Sequence, residues 1–218
     1  MVRYQDIIND VNSKLFLLMK WKSVYPLAEY FDRYLEACYG DDAFRFMFDL
    51  AYDIDRIIPG LYIKYDLSCM SGLAEFLSLW NSYDLKNKYI YRTTSVSLIS
   101  DYVYSSSIVP TQRYISFWSV SPYVSDKYVR LYIGNHVARP EYIRVLVAPY
   151  DDNICGKVWY DNLGPEYEII DRRKPESFGK LAYLNELEVR CYEYPVSKVI
   201  YSLTIDDFRE LMKLLPKL

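Results

Sequence analysis

Asn185-Glu186-Leu187-Glu188-Val189-Arg190-Cys191-Tyr192 is the stretch on which the fold turns. From Glu186 to Tyr192 it reads as a short β-strand opened by an E-x-E sequence. On a strand, Glu186 and Glu188 project from one face, and paired carboxylates there repel unless something uses them. Working outward, similar β-branched and aromatic runs occupy 88–94, 113–118, 128–133, 142–148 and 198–203. Turn residues at Asn135, Pro140, 149–153, Gly164-Pro165, Pro175 and Pro195 separate them. The spacings are irregular and do not alternate with long helices, which argues against a doubly wound parallel sheet.

The first eighty residues carry the other periodicity. Ile7, Ile8, Val11, Leu15 and Leu18 follow helical spacing, and further apolar faces run over 27–38, 44–54 and 73–80. The tail, 204–215, reads as an amphipathic helix with Thr204 as N-cap and Asp207 three residues on. The result is an α+β chain: a helical lobe over 1–84, then a sheet-bearing core over 85–218 that ends in a helix.

Composition narrows the function. The 218 residues are 51% hydrophobic and 25% charged, as in globular proteins. A net charge of −3 supplies no basic field for nucleic acid. The apolar runs are too short to span a bilayer, so no membrane partner is expected. Arg3, Asp6, Asp10 and Lys14 stand where a signal peptide needs apolar residues, which points to a cytoplasmic chain. There is one histidine, His136, and no CxxC or HExxH spacing, so no metal is expected. No GxGxxG or Walker loop is present. Chemistry by elimination rests on carboxylates, Arg, Ser and Tyr. The 25 tyrosines and scarce glutamines resemble the composition of proteins from hot environments.

Three elements then fall in order: Tyr91-Arg92-Thr93 at a strand, Phe117-Trp118-Ser119-Val120-Ser121 (F-x-S-x-S) at the end of another, and the E-x-E that opens 186–192, followed by Pro195. Together they resemble the Arg–Ser–Glu class of mono-ADP-ribosyltransferases, which includes the cholera-toxin-like and binary-toxin-like enzymes. The resemblance covers roughly residues 85–205. It implies a core of two packed mixed β-sheets around an NAD+ cleft, with NAD+ as substrate, no metal, and a protein as acceptor.

By that resemblance Glu188 is the catalytic carboxylate, stabilising the cation that forms on the ribose as nicotinamide leaves. Glu186 suggests arginine as the acceptor. Arg92 would grip the dinucleotide's phosphates or order the nearby loop. Ser119 would fix Glu188, Ser121 would assist in the same motif, and Arg139 would be a second phosphate contact. Phe178 and Tyr183 would meet the acceptor. Trp118 and Val120 depart from the family's small or hydroxylic residues. Two other readings are open: the same fold serving as a binding or virion-associated protein without catalysis, and a metal-dependent nuclease built on Asp161, Glu186 and Glu188.

Overall fold

A computed structural model describes residues 4–24, 75–76, 78–80, 82–99, 101–103, 115–157 and 187–218. The expected helices at 27–38 and 44–54 lie outside these residues, as do Asp161, Phe178, Tyr183 and Glu186. The chain forms two compact units. One comprises Met1–Leu15, Asp84–Lys157 and Glu186–Lys217; the other comprises Phe16–Tyr83 and Val158–Asn185 with Leu218. In the second unit the described residues are largely helical, bury Leu17, Leu18, Trp21, Phe76 and Trp80, and pair Lys20 with Glu75 at 2.9 Å.

The first unit carries the sheet. Its elements are α1 (Tyr4–Ser13), β1 (Tyr89–Ser95), β2 (Tyr102–Val103), β3 (Ile115–Ser119), α2 (Pro122–Gly134), β4 (Ile143–Pro149), β5 (Cys155–Lys157), β6 (Glu188–Tyr192), β7 (Tyr194–Pro195), β8 (Tyr201–Leu203) and α3 (Ile205–Leu214). Six strands form one sheet in the order β5-β6-β3-β1-β4-β8, and β2 pairs with β7 in a second. The α+β class therefore holds, but every described strand pairing is antiparallel, where mixed sheets were expected. The reason lies in α2. It crosses from β3 to β4, which run parallel to each other, but β1 is inserted between them and pairs with both in the opposite sense.

A second correction concerns 128–133, read from composition as a strand. These residues are the second half of α2. Pro122 occupies the first turn, where its fixed φ and missing N–H suit a helix start. Pro122, Val124, Ser125 and Val129 then recur on the buried face, so tertiary packing overrides the strand preference of Tyr128-Val129. The tail behaves as expected: Thr204 accepts the Asp207 N–H at 3.2 Å, the Asp207 carboxylate accepts the Thr204 N–H in return, and α3 buries Ile205, Phe208 and Leu211.

Two features were not foreseen. Cys155 and Cys191, 36 residues apart, form a disulfide between opposed positions of β5 and β6. Glu193, exposed at the turn from β6 into β7, has a φ of 48°, in the left-handed region that penalises a side chain. Glu193→Gly should therefore raise the unfolding free energy by about 1 kcal/mol, read as a higher urea midpoint at unchanged slope.

Candidate active site

The register of three adjacent strands places Tyr91 of β1 opposite Ser119 of β3, and Ser119 opposite Glu188 of β6. Opposed residues share a face, so these side chains form a row across the sheet. Phe117 and Arg190 stand opposite each other one step along the same face. Arg190 Nε donates to Glu188 Oε1 at 3.0 Å, and its guanidinium carbon lies 5.0 Å from the centre of the Phe117 ring. Both charged side chains are nearly buried.

Arg92 comes to the same place by another route. The ladder between β1 and β3 has a single pair, Tyr91 with Ser119. Beyond it the Phe117 carbonyl accepts Arg92 Nη1 at 2.5 Å. Burial pulls the Arg92 guanidinium below its ordinary value, while Tyr132, Glu188 and Tyr128 act in the opposite direction. Three motifs separated in sequence thus meet around Phe117, Ser119 and Glu188.

Ser119 Oγ accepts the Ser121 N–H at 3.0 Å, which turns the chain from β3 into α2. Ser121 is fully buried, and its own hydroxyl has no hydrogen-bond partner. It sits at the N-terminus of α2 without capping it. The two departures in this motif serve packing. Trp118, on the opposite pleat from Phe117 and Ser119, lies 5.0 Å from the Tyr194 ring, and Val120 is wholly buried.

Other sequence-based assignments fare differently. β6 begins at Glu188, and Leu187 before it has a φ of 46°. Glu186 lies outside the described residues, and with it the expectation that it shares a strand face with Glu188. Arg139 is exposed beyond the C-terminal end of α2. Thirteen residues of helix separate it from the Ser119–Ser121 turn. His136 is exposed in the turn after α2. Phe178 and Tyr183 fall outside the described residues. Among the described residues no cluster of three His, Cys, Asp or Glu side chains is placed to hold a metal ion.

The support beneath the site was not anticipated. Lys14, fully buried, donates to the carbonyls of Tyr89 at 3.0 Å and Val120 at 2.8 Å, and pairs with Asp10 at 2.5 Å. Asp10 accepts the Tyr89 N–H at 2.9 Å and the Tyr91 hydroxyl at 2.7 Å. Helix α1 is thereby fastened to the start of β1 and to the residue between Ser119 and Ser121. A signal did exist in the sequence: Lys14 falls on the apolar stripe of Ile7, Val11 and Leu18, where a charge is out of place unless it is paired. Burial holds the Lys14 ammonium down at about 8, against an ordinary 10.5, with Asp10 opposing the shift.

Comparison with known proteins gives one relative. Over 224 aligned residues, covering 99% of this chain and 98% of the other, the chain is 52% identical to Uncharacterized protein 67 of Sulfolobus islandicus filamentous virus (isolate Iceland/Hveragerdi). No family model matches the chain, and no solved structure matches it. Among the described residues, no helix is long and apolar enough to cross a membrane.

Lys14→Met should lower stability by about 3 kcal/mol or more, because it strands the Asp10 carboxylate in a buried place. The pH dependence has a definite sign. Between about pH 8 and 10.5 the unfolded chain holds a proton on Lys14 that the folded chain has released, so the contribution of this lysine grows more favourable as pH rises. The stability gap between wild type and Lys14→Met should accordingly widen across that window in urea titrations.

Proposed function

This chain belongs to one family with Uncharacterized protein 67 of Sulfolobus islandicus filamentous virus, and we propose that it is an NAD+-dependent mono-ADP-ribosyltransferase. It transfers ADP-ribose to a protein side chain, with arginine the acceptor that Glu186 suggests, and it acts in the cytoplasm of the cell that makes it. The viral relative supports a viral origin and a hot-environment host, in keeping with the Tyr-rich, Gln-poor composition.

The observation that carries the reading is the meeting of Arg92, Ser119 and Glu188, 27 and 69 positions apart in the chain, at the junction of β1, β3 and β6. Cleavage of the bond between nicotinamide and ribose leaves positive charge on the sugar. A fixed carboxylate nearby lowers the energy of that state. Glu188 is such a carboxylate, with Ser119 opposite it and Arg190 bonded to it. Nicotinamide departs as a neutral base, so no proton donor is required. Ser119 acts as a support: its hydroxyl is engaged by the Ser121 N–H, and no histidine accompanies it. The residues present suit a dinucleotide, since Arg92 supplies a cation for phosphate and the unpartnered Ser121 hydroxyl a further donor at the start of α2.

A second reading has its own observation. Glu188 is only 7% exposed and already ion-paired, as it would be in a relative that keeps the fold for binding and has lost turnover.

Purified protein incubated with labelled NAD+, with and without a host lysate, separates the two. Release of nicotinamide or labelling of a protein band, reduced about 100-fold or more in Glu188→Gln, is the expected result. A rise in melting temperature with NAD+ but no turnover selects the binding protein. No turnover and no thermal shift overturn both.

A further inference from the structure

We propose that Arg190 is the positioning residue for Glu188, held in place by the ring of Phe117, and that this trio sets the orientation of the carboxylate during the reaction. The proposal rests on the transferase reading above and adds to it a residue that lies outside the Arg, F-x-S-x-S and E-x-E motifs.

The argument begins with strand geometry. Residues two apart on β6 share a face, so Arg190 is the nearest side chain along the strand on the side of Glu188. A glutamate has three side-chain torsions, and on an open sheet face its carboxylate samples many positions. The Arg190 Nε contact at 3.0 Å removes that freedom on one oxygen. A guanidinium is itself a long, flexible group and orients nothing unless it is oriented. Phe117, opposite Arg190 in register, supplies that constraint by carrying the guanidinium over its ring at 5.0 Å. A planar cation over an aromatic face with a carboxylate at its edge is an arrangement that Arg provides and Lys does not.

Two further features converge on the same trio. The Phe117 carbonyl receives Arg92, so one residue of β3 sets both guanidiniums, one through its ring and one through its backbone. On the other side, Leu187 in left-handed backbone gives its carbonyl to the Val120 N–H at 3.1 Å, which fixes where β6 starts relative to β3. Glu188 is thus set by its backbone at one end and by Arg190 at the other. Arg190 acts through Glu188, whose carboxylate must lie under the ribose for the charge to be useful.

The test compares wild type, Glu188→Gln, Arg190→Gln, Arg190→Lys, Phe117→Leu and the double variant Phe117→Leu/Arg190→Gln. NAD+ turnover is measured to saturation, and each fold is checked by melting temperature. Arg190→Gln should lower kcat about 10-fold or more with KM for NAD+ within about 2-fold of wild type. Arg190→Lys should recover part of the loss, and Phe117→Leu should lower kcat by a smaller factor. The double variant should be no slower than Arg190→Gln, because the ring works only through the guanidinium. Where Arg190→Gln fails to fold, Arg190→Lys and Phe117→Leu carry the comparison: both should keep KM and lose kcat. Full kcat in Arg190→Gln, a rise in KM alone, or fully multiplicative effects of the two residues would overturn the assignment. So would a faster enzyme, which would make the ion pair a restraint. A silent wild type is a different result: it removes the transferase reading, and with it this role.

Discussion

A buried ammonium imposes conditions on everything around it. Lys14 has no water to turn to, so each of its protons requires an acceptor, and the chain supplies the Asp10 carboxylate and the carbonyls of Tyr89 and Val120. Those partners come from one helix, the first residue of β1, and the turn between β3 and α2. Meeting the demand of one side chain therefore fixes the ends of the two strands that bear Arg92 and Ser119. Asp10 doubles the constraint by accepting from the backbone and side chain of β1. The N-terminal helix, which looks in sequence like part of a separate helical lobe, is in this respect a component of the sheet unit.

From that anchorage the site follows by register. With Tyr91 opposite Ser119 and Ser119 opposite Glu188, β3 and β6 present their key residues in one row, and Arg92 follows Tyr91 on β1. The short ladder between β1 and β3 then leaves room for the Arg92 guanidinium to reach a main-chain carbonyl. Electrostatics and hydrogen bonding do separate jobs here. Main-chain pairing decides which residues are neighbours, and the ion pair of Glu188 with Arg190 decides how the carboxylate is turned.

Much of this was legible before any coordinates. Apolar and aromatic runs located β1, β4 and β6 to within a residue or two at most ends, and Thr204 with Asp207 marked the start of α3, because propensity and capping are local effects. The order of Tyr91-Arg92, F-x-S-x-S and E-x-E suggests a shared site; the register sets Ser119 opposite Glu188, and a hydrogen bond to the Phe117 carbonyl puts Arg92 near them. What failed was non-local. Tyr128 to Ile133 has strand-like residues but is helical, because the burial of Val124, Ser125 and Val129 outweighs their preference. Leu187 reads as mid-strand, but its backbone is left-handed and β6 begins one residue later, a turn that period-two patterning does not register. Arg190 carries no signal in the sequence, because its contact with Phe117 is made across the ladder. Lys14 was visible as an odd charge on an apolar stripe, and its partners were not.

The disulfide between β5 and β6 has a meaning that reaches beyond stability. Closing a ring of this size is worth about 4 kcal/mol of chain entropy, and the ring holds every residue between Cys155 and Cys191. Its two ends are clasped twice, by the sulfurs and by the ladder that sets Gly156 opposite Arg190 and Lys157 opposite Val189. An insertion or deletion between 158 and 186 changes the circumference of that ring and leaves the two paired strands of its clasp as they are. The clasp thereby holds Glu188, three residues before Cys191, at its place on the sheet whatever the length of that stretch.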